Sequence, residues 1–228
     1  MKINMLSKIR PIRSYILRQG RLTKHQAEGI KLLSSSHAIP FELNFLNWDV
    51  IFENQNKRII EIGFGMGNTT IEIAAKLCNF NFIAIDVHSP GVGNLLNKIE
   101  ERKLTNLKVM HHDAVEVLEK MAQEKSLDAI HIFFPDPWHK KKHNKRRLIQ
   151  NSFINLMAKK IKQDGYIHIA TDWEDYALQI LHIFGESKDF KRKNMDLTQR
   201  PAYRPKTKYE DRGLRLGHRV WDIIFIRR

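Results

Sequence analysis

The chain is short of cysteine, of long apolar runs and of acids, and each shortage removes a class of protein. Cys78 is the only cysteine in 228 residues. No disulfide can form within the chain, and a reducing, cytoplasmic setting is expected. No apolar run approaches the roughly 20 residues that a membrane-spanning helix needs, so no membrane partner is expected. Internal repeats and low-complexity tracts are missing as well. Acids number 25 against 39 Lys and Arg, a formal charge of +14. Such an excess gathers polyanions, of which nucleic acid is the commonest, although charge alone does not separate RNA, DNA and an anionic membrane surface. The imbalance is sharpest over the first 33 residues, where eight Lys or Arg face Glu28 alone. Organelle transit peptides share that bias, but "RSYILRQGRLTKHQAEGI" has no Ser-rich amphipathic helix and is interrupted by Gly20 and Gly29. Residues 1–37 are therefore expected to be a basic arm, disordered or ordered by a partner, ahead of a single domain over 38–228.

What remains is enough for a core: 42% of residues are hydrophobic and 28% charged. From residue 58 strand-like and helix-like segments alternate. "RIIEIGFG" is an apolar run ending in glycines, and "NTTIEIAAKLC" follows with apolar residues at 71, 74, 75 and 78. Thr69 and Glu72 have capping-box spacing, which marks a helix start. "NFIAIDV" is the next strand, with Ser89-Pro90 as N-cap and first-turn proline of the following helix. "LKVMHHDA" with "VEVLEKMAQ" repeats the unit, and "LDAIHIFF" is a fourth strand. A helix from about Asn151 is expected to end near Gly165, and "YIHIATD" with "WEDYALQILHIF" forms a fifth pair. "RVWDIIFIRR" reads as a strand buried on both faces, and "KDFKRKNMDLTQRPAYRPKTKYEDRGLRLG" as a long functional loop. This β-α alternation predicts a Rossmann-like, doubly wound, mostly parallel α/β sheet.

"EIGFGMG" sets Gly63, Gly65 and Gly67 between a strand and a helix, where backbone can approach a ligand beside a helix N-terminus. A dinucleotide fingerprint would put glycine at position 68, where Asn68 stands, and the G-K-[ST] of a P-loop is missing. Glu61 precedes the glycines, and Asp86 closes the second strand, where a carboxylate can accept both hydroxyls of a ribose. Acids suit a sulfonium cation and would repel a pyrophosphate. The set looks like the S-adenosylmethionine (SAM) site of class I methyltransferases, with Asp113 and its neighbour Ala114 facing the adenine. The alternative is a set of ordinary βα turns with acids as helix caps.

The most specific stretch is "FFPDPWHKKKHNKRR", residues 133–147. It superficially resembles the D-P-P-Y box of amino-methyltransferases, but the order here is P-D-P-W followed by cations. "IEIGFGMG", "IDVHSPGVG", "HHDAVEVL", "FPDPWHKKKHNKRRL", "IATDWEDYA" and "TKYEDRGLRLGHRVWD", with "IRSYILRQGRLT" near the start, together resemble the bacterial tRNA (guanine-N7)-methyltransferase family over nearly the whole chain. Asp86 stands where many members carry Glu, and His139 where some carry Pro. The resemblance implies a seven-stranded methyltransferase sheet and methyl transfer from SAM to N7 of the variable-loop guanine of tRNA. It implies cofactor binding by Glu61, Gly63, Gly65, Gly67, Asp86, Asp113, Ala114 and Asp136. Asp136, held between two prolines, is the catalytic candidate, acting on the guanine or on the SAM amino group. Substrate binding falls to Lys140, Asp172, Thr207, Lys208, Tyr209 and Glu210. Asp172 and Glu210 are candidates for the N1–H and exocyclic amine of guanine, although Thr171 and Glu174 also have capping-box spacing. Lys141, Lys142, Lys145, Arg146 and Arg147 are expected to supply salt-dependent affinity for the tRNA backbone. Trp138 is expected to pack rather than stack on a base. His139 and His143 lack a third ligand, so no metal is assigned. Monomer and homodimer are both compatible with the sequence. The rival readings are methylation of another RNA nucleobase and a catalytically silent RNA-binding module on the same fold.

Overall fold

The computed structural model describes residues 13–16, 20–207, 210, 211, 215, 217 and 219–228. β1 (Lys57–Ile62), β2 (Phe80–Asp86), β3 (Leu107–His111), β4 (Leu127–Phe133) and β5 (Ile161–Thr171) pair in parallel in the order β3-β2-β1-β4-β5. β7 (Trp221–Arg227) then runs antiparallel beside β5, and β6 (Phe190–Arg192) closes the sheet against β7. Strand order reverses between β1 and β4, and the crevice beyond the carboxyl ends of such strands is where open α/β sheets bind ligands.

Alternation along the strands sends side chains into two layers. Ile60, Ile62, Ile83, Ile85, Ile130 and Ile132 pack beneath α5 (Ala114–Lys120), α6 (Asn151–Lys160) and α7 (Glu174–Glu186). Ile59, Phe82, Ala84, Ala129 and Phe133 face α3 (Asn68–Lys76) and α4 (Ser89–Arg102). Among the described residues no helix is long and apolar enough to cross a membrane.

The largest departure from expectation is near the start. Residues 24–37, expected within a basic arm, form α1 (Lys24–His37), which packs along α4. Thr23 and Gln26 make a reciprocal capping box. Gly29 does not interrupt this helix, because it is where α1 meets α4: a Cβ there would lie 2.4 Å from Asn97 Oδ1. Asn97 Nδ2 also donates to the carbonyl of His25, at 2.9 Å. A short helix, α2 (Trp48–Phe52), precedes β1.

Helix ends differ from the spacing rules. α3 starts at Asn68 on Gly67 in the left-handed region, without a Thr69–Glu72 box. His88 rather than Ser89 is the N-cap of α4, and Pro90 stands in its first turn. α6 stops at Lys160, and Gly165 lies inside β5 instead of ending the helix. Three residues of the expected long loop, Phe190–Arg192, pair as β6.

Candidate active site

The turn after β1 lies in a conformation that L side chains resist: φ is +76° at Gly63, +58° at Gly65 and +70° at Gly67. A Cβ at Gly63 or Gly65 would meet nothing within 4 Å, so this backbone faces open space. Gly91, the glycine of "SPGVG", is what lets α4 approach: a Cβ there would sit 1.8 Å from the Gly65 carbonyl oxygen. Two acids grip the turn from behind. Glu61 Oε1 accepts from the Thr70 hydroxyl at 2.9 Å, linking the end of β1 to the start of α3. Asp86 accepts from the amides of Gly65 at 2.7 Å and His88 at 2.9 Å.

The open space is a cavity of about 860 Å³ at the carboxyl ends of β1–β4. Gly63, Asp86, Asp113 and Ala114 line one side of it. Asp136, Trp138, His139 and Lys140 line the other, and Ser14, Tyr15 and Ile16 form a further wall. Glu61, Gly65 and Gly67 are not part of its lining: Gly65 is half-buried with open space above its backbone, and Glu61 and Gly67 are buried behind the turn. Glu61 is 2% exposed, and its Oε2 has no hydrogen-bond partner among the described residues. Burial is the main reason its carboxyl is pushed up to about 7, with the Thr70 hydroxyl opposing and the Asp86 charge adding to the rise. Burial also raises Asp86, partly offset by the amides it accepts from. Asp113 caps α5 through the amide of Val115, at 2.9 Å, and still faces the cavity. The helix-cap role and the ligand role are thus compatible at one residue.

The second side is built from a strained turn. Phe134 (φ 52°) and Trp138 (φ 48°) bracket Pro135-Asp136-Pro137, and bulky residues there cost of the order of 1–3 kcal/mol each. Phe134 N is held by the Ala170 carbonyl at 2.7 Å, and Trp138 N donates to Asp136 Oδ1 at 3.3 Å. The Asp136 carboxylate is exposed at the rim of the cavity. Trp138 is 8% exposed; its indole N–H donates to the Ser14 carbonyl at 3.1 Å, and the Arg146 guanidinium lies 4.1 Å from its ring centre. Arg146 also donates to the carbonyls of Arg13 and Tyr15. The tryptophan therefore packs, and what it packs is the N-terminal segment. Burial, with the Asp113 carboxylate beside it, pushes the Tyr15 phenol up to about 12. Sequence reasoning missed Tyr15 and Gly91; the only signal for them was their place in "IRSYILRQGRLT" and "SPGVG".

The cationic loop divides. Lys140, Lys141, Lys142 and Lys145 are exposed around a 3₁₀ turn at Lys141–Arg146. Arg147, expected on the tRNA backbone, is instead 3% exposed and points inward. Its guanidinium satisfies polar groups of the fold, so it is not part of a solvated phosphate-binding face.

The remaining substrate candidates do not line the cavity. Asp172 reaches the same end of the sheet through its neighbour Trp173, whose ring lies 4.2 Å from that of His139. It does not cap α7: Trp173 holds the N-cap position, and the Thr171 hydroxyl accepts from Trp173 N at 3.2 Å. Thr207 and Glu210 are buried, with the Thr207 hydroxyl accepting from Glu210 N at 3.0 Å. Glu210 Oε2 accepts from Arg204 Nη1 at 2.8 Å. Arg204 also grips Asp222 of β7 twice, at 2.6 Å each. Lys208 and Tyr209 lie outside the described residues.

Residues 55–223 match the family model described as "Putative methyltransferase". A curated tRNA (guanine-N(7)-)-methyltransferase of Neisseria meningitidis is 53% identical over 218 residues, spanning 96% of this chain and 92% of the relative. One from Chromobacterium violaceum is 50% identical over 219 residues, covering 96% and 97%. Among solved structures, the 16S rRNA methyltransferase KamB shares the fold with a TM-score of 0.56 at 13% identity, covering 80% of this chain and 93% of that one. Half identity along almost the full length of both chains leaves one assignment: this chain belongs to the bacterial tRNA (guanine-N(7)-)-methyltransferase family.

Proposed function

We propose that this chain methylates N7 of the variable-loop guanine of tRNA, with SAM as the methyl donor. The observation that carries the reading is one cavity with the glycine turn, Asp86 and Asp113 on one side and Asp136 on the other. The donor set fits SAM. Open backbone at Gly63 and Gly65 admits close approach, and Asp86 keeps lone pairs for ribose hydroxyls. Asp113 and Ala114 line the cavity and would hold the adenine. The unpartnered buried oxygen of Glu61 favours a cationic ligand group near it. Bound SAM supplies a methyl group made electrophilic by its sulfonium.

Guanine N7 presents a lone pair and no proton, so the chain needs no strong base. Its own residues have two tasks: to hold the base in line, and to stabilise positive charge as the purine is alkylated. Asp136 suits the second, being an exposed carboxylate fixed by its turn, with no ion pair among the described residues. We assign it to the guanine rather than to the SAM amino group. The exposed lysines beside the cavity, Lys140–Lys142 and Lys145, are placed to hold the tRNA backbone.

Unmodified tRNA incubated with methyl-labelled SAM, then digested to nucleosides, should carry its label in 7-methylguanosine. Label in another nucleoside would move the reaction to a different base atom, and no label would leave a silent RNA-binding module. Unchanged SAM affinity in Asp136→Asn supports its place on the guanine; a parallel loss would move it to the cofactor.

A further inference from the structure

We propose that Arg147 is a positioning residue for methyl transfer, clamping the strained P-D-P-W turn so that Asp136 is held at the cavity; the inference rests on the catalytic reading of Asp136. Within a run of solvated cations Arg147 alone is fully buried among the described members. Arg147 Nε donates to the carbonyl oxygen of Pro137 at 2.8 Å, the residue after Asp136. Nη1 donates to Gln179 Oε1 and Nη2 to Asp175 Oδ2, both at 2.5 Å, and its guanidinium lies 4.9 Å from the ring centre of Tyr176. Three of these partners lie on the first turns of α7, Asp175 exposed, Tyr176 buried and Gln179 half-buried, and the fourth is the turn itself.

The arrangement is closed from the other side. The Tyr176 hydroxyl accepts from Ile149 N at 3.0 Å, and Gln179 Nε2 donates to the Ile149 carbonyl at 3.1 Å. The chain on both sides of the basic loop, at Pro137 and at Ile149, is thereby fixed to one helix. A turn carrying two aromatic residues at positive φ needs such external restraint, because it would relax if its carbonyl were released. The planar guanidinium serves all three acceptors at once while stacking on a ring; a lysine ammonium offers neither the fork nor the face. Arg147 is buried and does not line the cavity, so its effect on turnover would pass through the placement of Asp136.

The test compares Arg147→Lys, Asp136→Asn and the double variant in the full chain. For each, kcat, KM for tRNA, the salt dependence of tRNA affinity and the thermal midpoint are measured. Arg147→Lys should lower kcat about 100-fold, the scale on which a misplacement of about 1 Å acts. KM should change by less than about twofold, and the salt slope should stay as in wild type. On the Asp136→Asn background the same change should add little, since both variants remove one unit of function. A salt slope reduced by about one would make Arg147 a phosphate contact and overturn the proposal. So would a lowered thermal midpoint with wild-type kcat, or a full 100-fold loss added to that of Asp136→Asn. Wild-type kcat in Asp136→Asn would sink the catalytic reading itself and is seen separately. If Arg147→Lys does not fold, Gln179→Leu, which leaves the arginine and its bond to Pro137 carbonyl in place but loosens its anchor, should show a smaller kcat loss with the same unchanged salt slope; wild-type kcat there would also overturn the clamp.

Discussion

Two groups of acids sit at the same end of one sheet, and they are treated in opposite ways. Asp86, Asp113 and Asp136 line the cavity with Glu61 buried behind it, and among the described residues none of the four is in an ion pair. They accept from amides and hydroxyls only, which orients a carboxylate without cancelling its charge. Asp222 and Glu210, at the far side, are saturated. Arg204 bridges both, and His168 Nε2 stands 2.7 Å from Asp222 Oδ1. Tyr203 extends the network to the other nitrogen of His168, at 2.6 Å. Charge left unpaired is charge kept for a ligand, and charge paired in the interior holds architecture. The difference also bears on the guanine edge. Glu210 is committed to Arg204 in this conformation, whereas Asp172 carries no capping duty at α7.

The paired group breaks hardest. Arg204→Ala would leave the carboxylate of Asp222, 1% exposed, without its cation, and removal of one partner from a buried pair costs about 3–5 kcal/mol. Urea denaturation should show that loss. Asp86→Asn, by contrast, should move stability by less than about 1 kcal/mol while lowering SAM affinity at least about tenfold, read by calorimetry. Equal stability losses in the two variants would erase the distinction between the groups. Next in size is Asp136→Ala, expected to lower kcat by about 100-fold or more, as loss of a preorganised electrostatic group does, with an unchanged thermal midpoint. Turnover at the wild-type level would remove Asp136 from the chemistry.

Glu61 sharpens the comparison through pH. Its folded pKa is raised from 4.5 to about 7, so between those values the folded state holds a proton that the unfolded state has released. Stability from this group is therefore fully present below about pH 4.5 and is lost as pH rises toward 7, by no more than about 3 kcal/mol. His131 and His168 are lowered by burial and tilt the opposite way, losing stability as pH falls below their ordinary value of 6.5. The readout is accordingly the difference between wild type and Glu61→Gln, in which the histidines cancel. That difference should favour wild type less at pH 7 than at pH 5; a flat difference would mean that Glu61 stays ionised in the folded protein.

Features written locally were legible, and features made by distant pairing were not. The apolar runs of β1–β5, the glycines after β1 and the acids closing β2 and β3 each lie within a few residues, and their spacing carries their geometry. β6 contributes one buried side chain, Phe190, from three residues, too little for any periodicity. α1 was hidden behind Gly29, read as an interruption, although Thr23 and Gln26 already spelled a capping box. Arg147 was indistinguishable from its neighbours because a run of cations gives no sign of which one turns inward; its partners lie 10, 28 and 32 residues away. The bridge from Arg204 to Asp222 is likewise invisible until β7 is laid beside β5.

The smallest expected effect concerns the cations that do stay outside. Lys141, Lys142 and Lys145 are exposed and in no ion pair among the described residues, so each can release counterions by neutralising a phosphate. Replacing all three by alanine should flatten the plot of log affinity against log salt by roughly two to three. Because none of the three touches Asp136 or the glycine turn, kcat at saturating tRNA should stay within about twofold of wild type. Arg146 is excluded from this set for a reason visible in the structure: it holds the carbonyls of Arg13 and Tyr15 beside the cavity, so its loss would disturb the cavity wall as well as the charge. A slope unchanged in the triple variant would place the tRNA footprint on another surface, and the charge of this loop would then have no part in recognition.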